Sequence, residues 1–198
     1  MANLTIAEIS SAAKILNVEP CVIKAVVDVE SSGSGFLSTG QIKILFEGHI
    51  FWKELKKRGT NPEDYALKYP NVVYPKWDKS QYLGGLKEHD RLAIASEINR
   101  EAALCSASYG LFQVMGFNFG LCGFANVVDF VNAHRKSESE QLNAFCKFIQ
   151  SSGLVPSLAS KDWVTFAKRY NGPGYAQNRY DEKLKAAYIK CSGVVQCP

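Results

Sequence analysis

Val22, Ile23, Val26, Val27 and Val29 carry the apolar face of a helix that the spacing predicts from Pro20 to Glu30. Pro20 suits the first helical position, and Gly33 supplies a stop. Ahead of it, Thr5 and Glu8 form a capping box that opens a helix running to about Leu16. After it, Ile42 and Ile44 alternate with Gln41 and Lys43, the period of a short strand near 41–46. A helix from about His49 to Lys57 is closed by Gly59. Residues 60–84 are rich in Pro, Tyr, Asn and Lys and read as one long irregular segment, a length usually kept for function. Helical patterns return at 86–104, 125–134, 138–152, 160–170 and 176–190. Between them, 107–116 reads as a turn and the start of a helix, carrying Gly110, Gln113 and Met115. The pattern is that of one mainly α domain over 1–198, with a short β element near 41–46 and no repeat or linker.

Composition narrows the class. With 46% apolar and 21% charged residues the 198-residue chain can bury a real core and is not a disordered one. No apolar run approaches the roughly 20 residues of a membrane span. The N-terminal "MANLTIAEISSAAKIL" lacks the basic and apolar regions of a signal peptide, so retention in a cytoplasm is expected. A net charge of +4 favours polyanionic surfaces, but no basic block is dense enough for a nucleic-acid footprint. Lys56, Lys57 and Arg58 read as a solvated helix end whose cations suit the dipole.

Six cysteines, at 21, 105, 122, 146, 191 and 197, include no C-x-x-C pair and none at ligand spacing from a histidine. Reduced thiols are expected, with Cys191 and Cys197 able to pair after release. Neither a metal nor a cofactor is expected. Glu47 and His49 alone do not make a ligand set, because His89 and His134 lie far off and no H-E-x-x-H occurs. A partly buried, hydrogen-bonded His49 is the expectation.

The stretch "VVDVESSGSGF" (26–36) carries the first chemistry. Glu30 ends an apolar helix, where the negative end of the dipole and apolar neighbours both disfavour ionisation. A carboxyl held protonated near neutral pH is what a general acid in glycoside cleavage requires. Taken alone, the same stretch also reads as a solvated helix end. Two further stretches, "ASYGLFQVMG" (107–116) and "RYNGPGY" (169–175), complete a constellation.

Glu-Ser, then Ser-x-Gly-Leu-x-Gln-x-Met, then Tyr-Asn-Gly-Pro-Gly resembles the goose-type lysozyme and soluble lytic transglycosylase superfamily. "VESSGSGF", "ILFEGHIFW" and "SASYGLFQVMGFNF" resemble more closely the N-acetylmuramidase domain of phage endolysins, over about residues 10–190. The resemblance implies a lysozyme-like helical fold and cleavage of the β-1,4 bond between N-acetylmuramic acid and N-acetylglucosamine in bacterial peptidoglycan. Glu30 would be the general acid. Glu47 would be the second catalytic carboxylate, or a structural group shaping the cleft. Ser31, Gln113, Tyr170 and Asn171 would meet substrate or brace Glu30. Trp77 and Tyr82, on the irregular segment, are further candidates for glycan contact, whereas Phe46, Phe51, Trp52, Phe112 and Phe117 read mostly as core. A lytic transglycosylase, which closes the muramyl 6-hydroxyl onto C1 without water, fits the same motifs. A wall-binding module that has lost its chemistry is the non-enzymatic reading. The resemblance further implies a monomer that waits in the host cytoplasm for a holin. With no separate wall-binding module expected, affinity for the wall would come from the domain's own surface.

Overall fold

A computed structural model describes residues 4–30 and 33–193. It is mainly helical, with ten α-helices and one three-stranded sheet among these residues. The first helix, α1 (Ile6–Leu16), opens with the expected capping box: Glu8 N–H donates to the Thr5 hydroxyl while the Glu8 carboxylate accepts from Thr5 N–H. Asn17 closes it in the left-handed region. Its buried face, Ile9, Ala12, Ala13 and Leu16, packs on α2 (Pro20–Glu30) and on α7 (Glu138–Ser151). In α2 the buried positions are Val22, Ile23, Ala25, Val26 and Val27, so this helix is sunk in the core up to its last turn.

The sheet has the order β1-β2-β3, with β1 at Ile44–Phe46, β2 at Ala107–Tyr109 and β3 at Val114–Met115, all antiparallel. The expected strand near 41–46 is thus found, shorter, with an isolated bridge from Phe36 to Ile42 ahead of it. The stretch 107–116 is a hairpin and not a turn leading into a helix. Its turn is set by Gly110 (φ 70°) and Gln113 (φ 48°), both in the left-handed region that stops a strand from continuing.

α3 (Gly48–Lys57) follows β1 directly, and the 60–84 segment is irregular apart from a single-turn helix, α4 (Glu63–Ala66), and a 3-10 turn at Lys79–Gln81. α5 (Leu86–Cys105) is kinked at Asn99, whose extended backbone breaks the helix and whose side chain caps the second half by accepting from Ala102 N–H. Then come α6 (Val127–Lys136), α7, the short α8 (Val155–Ala159), α9 (Trp163–Tyr170) and α10 (Tyr180–Ser192). The helical pattern expected at 160–170 is α9, starting three residues later; α8 ahead of it was not expected, and the last helix starts four residues later than expected.

Apolar side chains from all these helices and from the inner face of the sheet meet in one connected core centred on Phe46, Phe51, Phe130, Phe145 and Phe166. Phe112 joins it, Trp52 packs at its edge, and Phe117 does not: it stands 42% exposed on a short 3-10 turn after β3.

The cysteine expectation is corrected. Cys191 pairs with Cys21, 170 residues away, with Cα atoms 5.5 Å apart. α10 packs along α2, which brings its last turn beside the first turn of α2. Cys197 lies outside the described residues, and Cys105, Cys122 and Cys146 are buried free thiols. Among the described residues no helix is long and apolar enough to cross a membrane.

Candidate active site

The disulfide marks one end of the α2–α10 pair and Glu30 marks the other. Glu30 is the last residue of α2, and Tyr180, the first residue of α10, lies with it on the wall of a cavity of about 350 Å³. Phe112, Gln113, Met115 and Asn118 come from the hairpin and the turn after it. Phe148, Tyr170 and Asn171 complete the lining. A larger hollow of about 590 Å³ lies between α9 and α10, but its charged groups sit on the surface and none is a carboxylate held away from water.

Of the described substrate-site candidates from the sequence, Gln113, Tyr170 and Asn171 line this cavity, each held there by a nameable bond, whereas Trp77 and Tyr82 stand beside Glu47. Asn171 caps the end of α9 and donates from Nδ2 to the Glu30 carboxylate at 3.1 Å. Its Oδ1 is buried and has no hydrogen-bond partner among the described residues. The Tyr170 hydroxyl donates to the Phe112 carbonyl at 2.9 Å, tying α9 to the hairpin turn, and its ring stacks on Phe166. Gln113 donates to the Gly110 carbonyl and accepts from the Ser108 hydroxyl, which fixes its amide over the turn. Both of these bonds stay within the hairpin, so Gln113 shares the cavity with the acid and does not brace it. Ser31 lies outside the described residues.

Burial raises the pKa of Glu30 from 4.5 to about 7, against the opposing pull of the Asn171 amide and the Lys183 charge. The carboxyl is consequently about half protonated at neutral pH. The same cavity wall holds the phenols of Tyr170 and Tyr180 above their ordinary range, so both remain hydroxyls.

Glu47 stands apart from this lining. It is the residue after β1 and the N-cap of α3, and its N–H donates to the Ser106 carbonyl. Side chains alternate along the strand: Ile42, Ile44 and Phe46 are buried in the core, and Lys43, Leu45 and Glu47 are not. Leu45 pairs with Ser108, and Ser108 pairs with Met115. Glu47 therefore shares a sheet face with Ser108 and Met115, and Met115 reaches the Glu30 cavity.

The Glu47 carboxylate is half-buried and accepts from the Tyr82 hydroxyl at 2.7 Å, while Trp77 donates from its indole to that same hydroxyl. Burial raises its pKa, partly offset by Tyr82 and Arg91. His49 Nδ1 sits 3.3 Å from Glu47 Oε2 without the alignment of a hydrogen bond, and burial holds the imidazole below its ordinary pKa.

Beneath this group lies a pair that the sequence did not single out. Glu88 is fully buried and accepts from the N–H groups of Phe46, Leu83 and Gly84. Arg91, also buried, bonds Glu88, the carbonyls of Phe46 and Asn71, and the Tyr74 hydroxyl. A buried ion pair persists only when its remaining polar atoms are satisfied, as they are here. The pair fastens the irregular 60–84 segment to the end of β1 and so sets where Glu47 and Tyr82 stand. The i,i+3 spacing of Glu and Arg on a helix was the sole sequence signal, and it is indistinguishable from that of any surface pair.

A family model described as Muramidase, N-acetylmuramidase, matches residues 19–192. The chain belongs to the N-acetylmuramidase family. It is accordingly a peptidoglycan-degrading glycoside hydrolase, with the fold of phage endolysins of this type. Among solved structures it is similar to the endolysin of Burkholderia AP3 phage, at 41% identity and a TM-score of 0.90, over 96% of this chain and 72% of that one. Among curated proteins it is similar to the endolysin of Enterobacteria phage PRD1, 26% identical over 131 residues, which is 63% of this chain and 87% of that protein. Among the described residues no three His, Cys, Asp or Glu side chains converge as metal ligands.

Proposed function

We propose that this N-acetylmuramidase acts as an endolysin that hydrolyses the β-1,4 bond between N-acetylmuramic acid and N-acetylglucosamine, with Glu30 as general acid. The observation that carries this reading is a carboxyl with a pKa of about 7 on the wall of a cavity, beside an amide donor. A general acid works best when its pKa lies near the working pH. Protonated Glu30 donates to the glycosidic oxygen as the bond to C1 of the muramic acid breaks. The 4-hydroxyl of N-acetylglucosamine departs with that proton, and positive charge grows on the muramyl ring. The Asn171 N–H then stabilises the new Glu30 carboxylate, an interaction stronger after proton transfer than before it. Tyr170, Gln113 and Asn171 offer donors and acceptors for sugar hydroxyls and N-acetyl groups. Water attacks C1, with Glu47 as the base that takes its proton, held in place by Tyr82. The product is a reducing N-acetylmuramic acid. Residues 1–198 work as one catalytic unit and as a monomer, which reaches the wall after holin-mediated release.

A second reading has one observation in its favour. Glu47 is not among the residues lining the Glu30 cavity. If Glu30 alone serves as acid and then base, the muramyl 6-hydroxyl attacks C1 and a 1,6-anhydro product leaves. Digestion of purified peptidoglycan followed by mass spectrometry separates the two. Reducing ends one water heavier support the hydrolase, and 1,6-anhydro ends overturn it in favour of the transglycosylase. Glu30→Gln must abolish release of soluble glycan while the circular dichroism spectrum is kept. A folded, active Glu30→Gln protein removes Glu30 from the role.

A further inference from the structure

We propose that Glu138 and Gln141, on the first turn of α7, are positioning residues for Glu30: they clamp Ser34 and Gly35, which follow Glu30 in the chain, and the hairpin turn bearing Gln113 into one relative position. The proposal rests on the reading of Glu30 as general acid. Neither residue lines the cavity, so any effect on the reaction passes through the loops they hold.

The two loops come from opposite halves of the chain and meet at α7. From the first, Gly35 N–H donates to Glu138 Oε1 at 2.6 Å and the Ser34 hydroxyl donates to the same oxygen at 2.8 Å. From the second, Leu111 N–H donates to Gln141 Oε1 at 2.7 Å. Gln141 Nε2 donates in turn to the His134 carbonyl at the end of α6, which locks the amide orientation. Gln141 is fully buried and Glu138 is 5% exposed.

The approach is close enough to dictate glycine on both sides. A Cβ on Gly35 would stand 2.1 Å from Gln141 Oε1 and 2.9 Å from Leu111 N, and one on Gly110 would stand 2.4 Å from Gln141 Cδ. Lys43 closes the knot through its backbone, donating to the Gly35 carbonyl and accepting from Gly110 N–H, each at 2.8 Å. A Ser-Gly loop has few apolar side chains with which to pack itself down, so its position is set by such polar anchors. Burying a carboxylate and an amide for this purpose is costly unless every bond is made. Loss of an anchor lets the loop drift, admits water to Glu30 and blunts its alignment with the leaving oxygen.

The test compares Glu138→Ala, Glu138→Gln and Ser34→Ala with wild type on soluble glycan-strand oligomers, measuring kcat and KM from pH 5 to 9. Glu138→Ala is expected to lower kcat by roughly 10- to 100-fold, the scale for ångström misplacement, with KM within about 3-fold. The basic limb of its pH profile should move to lower pH, because a hydrated Glu30 loses its proton below the wild-type value of about 7. Glu138→Gln keeps an oxygen acceptor for Gly35 and Ser34 and should return both readouts most of the way to wild type. An unmoved basic limb in Glu138→Ala overturns the proposal, including the case where kcat falls only with the folded fraction. Should Glu138→Ala fail to fold, Ser34→Ala, which removes the hydroxyl bond to Glu138 and keeps that of Gly35, decides by the same limb. Glu30→Gln is run in parallel: activity in that variant removes the Glu30 reading itself. A dead Glu30→Gln with an unmoved Glu138→Ala limb overturns the clamp alone.

Discussion

Glu30→Gln should make the protein more stable, and only above the pH at which the carboxyl ionises. In the folded chain burial holds the pKa near 7, whereas an unfolded chain leaves it near 4.5. Below 4.5 the group is neutral in both states, and the neutral amide of Gln replaces a neutral carboxyl of similar shape. As pH rises through 7 the folded state must carry a desolvated charge that the unfolded state carries in water. The stability contributed by a raised pKa is fully present below 4.5 and is lost by the time the folded group has ionised. The interval from 4.5 to about 7, at about 1.4 kcal/mol per pH unit, gives a cost of about 3 kcal/mol. For a chain of this size that corresponds to roughly 6–12 °C in Tm.

The assay is urea or thermal denaturation of wild type and Glu30→Gln at pH 4, 5, 6, 7 and 8, taking the difference at each pH so that all other titrating groups cancel. The difference should be near zero at pH 4 and reach about 3 kcal/mol in favour of Glu30→Gln by pH 8. A difference that stays constant across this range would refute the reasoning. Glu30 would then be solvated in the free enzyme, and its acid form at neutral pH would need another cause.

Three further outcomes follow from the bonds around the site. Asn171→Ala removes the donor that favours ionised Glu30, so the basic limb of the pH–kcat profile should move to higher pH while kcat falls by roughly 10- to 100-fold, the worth of a hydrogen bond to a charged group. Tyr82→Phe removes the donor that lowers the Glu47 pKa, so the acidic limb should move to higher pH if Glu47 is the base, and stay fixed if it is scaffold. Cys21→Ser should lose about 2–5 kcal/mol of stability in denaturation, and dithiothreitol should lower the Tm of wild type while leaving that of Cys21→Ser unchanged.

How much of this was legible depends on the range of the interactions. The helices α1 and α2 were readable because their caps and apolar stripes are local: Thr5 with Glu8, Pro20 at the start, valines at helical spacing. The hairpin after α5 was not, since strands of three and two residues present too few positions for a period, and the left-handed Gln113 carries no residue-type signal. Cys21–Cys191 was invisible because it depends on α10 lying along α2, a contact 170 residues apart in sequence. Glu30, Tyr170, Asn171 and Gln113 were singled out by motif, and the structure brings them to one cavity and adds what holds each one. Gln141 and Glu138 carry no motif weight in the sequence: a Glu and a Gln in a polar first turn of a helix read as solvated until two glycine loops are seen to rest on them.

The pKa of Glu30 is best understood as a balance struck by three elements. Burial at the end of α2 raises it, and alone would leave an acid too weak to give up its proton readily. Asn171 from α9 and Lys183 from α10 pull it down, and without the burial they would leave a carboxylate with no proton to give. The near-neutral value therefore depends on α9 and α10 holding station beside α2. Tyr170 fastens α9 to the hairpin through the Phe112 carbonyl, and the disulfide fastens the far end of α10 to the start of α2. Both ties lie outside the chemistry, yet both bear on the acid: a wandering α10 would take away the Lys183 charge and open the wall at Tyr180 in the same motion. These two losses act on the pKa in opposite directions, since the departing charge raises it and entering water lowers it. A near-constant basic limb in a loosened α10 would thus still be accompanied by a fall in kcat, because the proton would be available but no longer aimed.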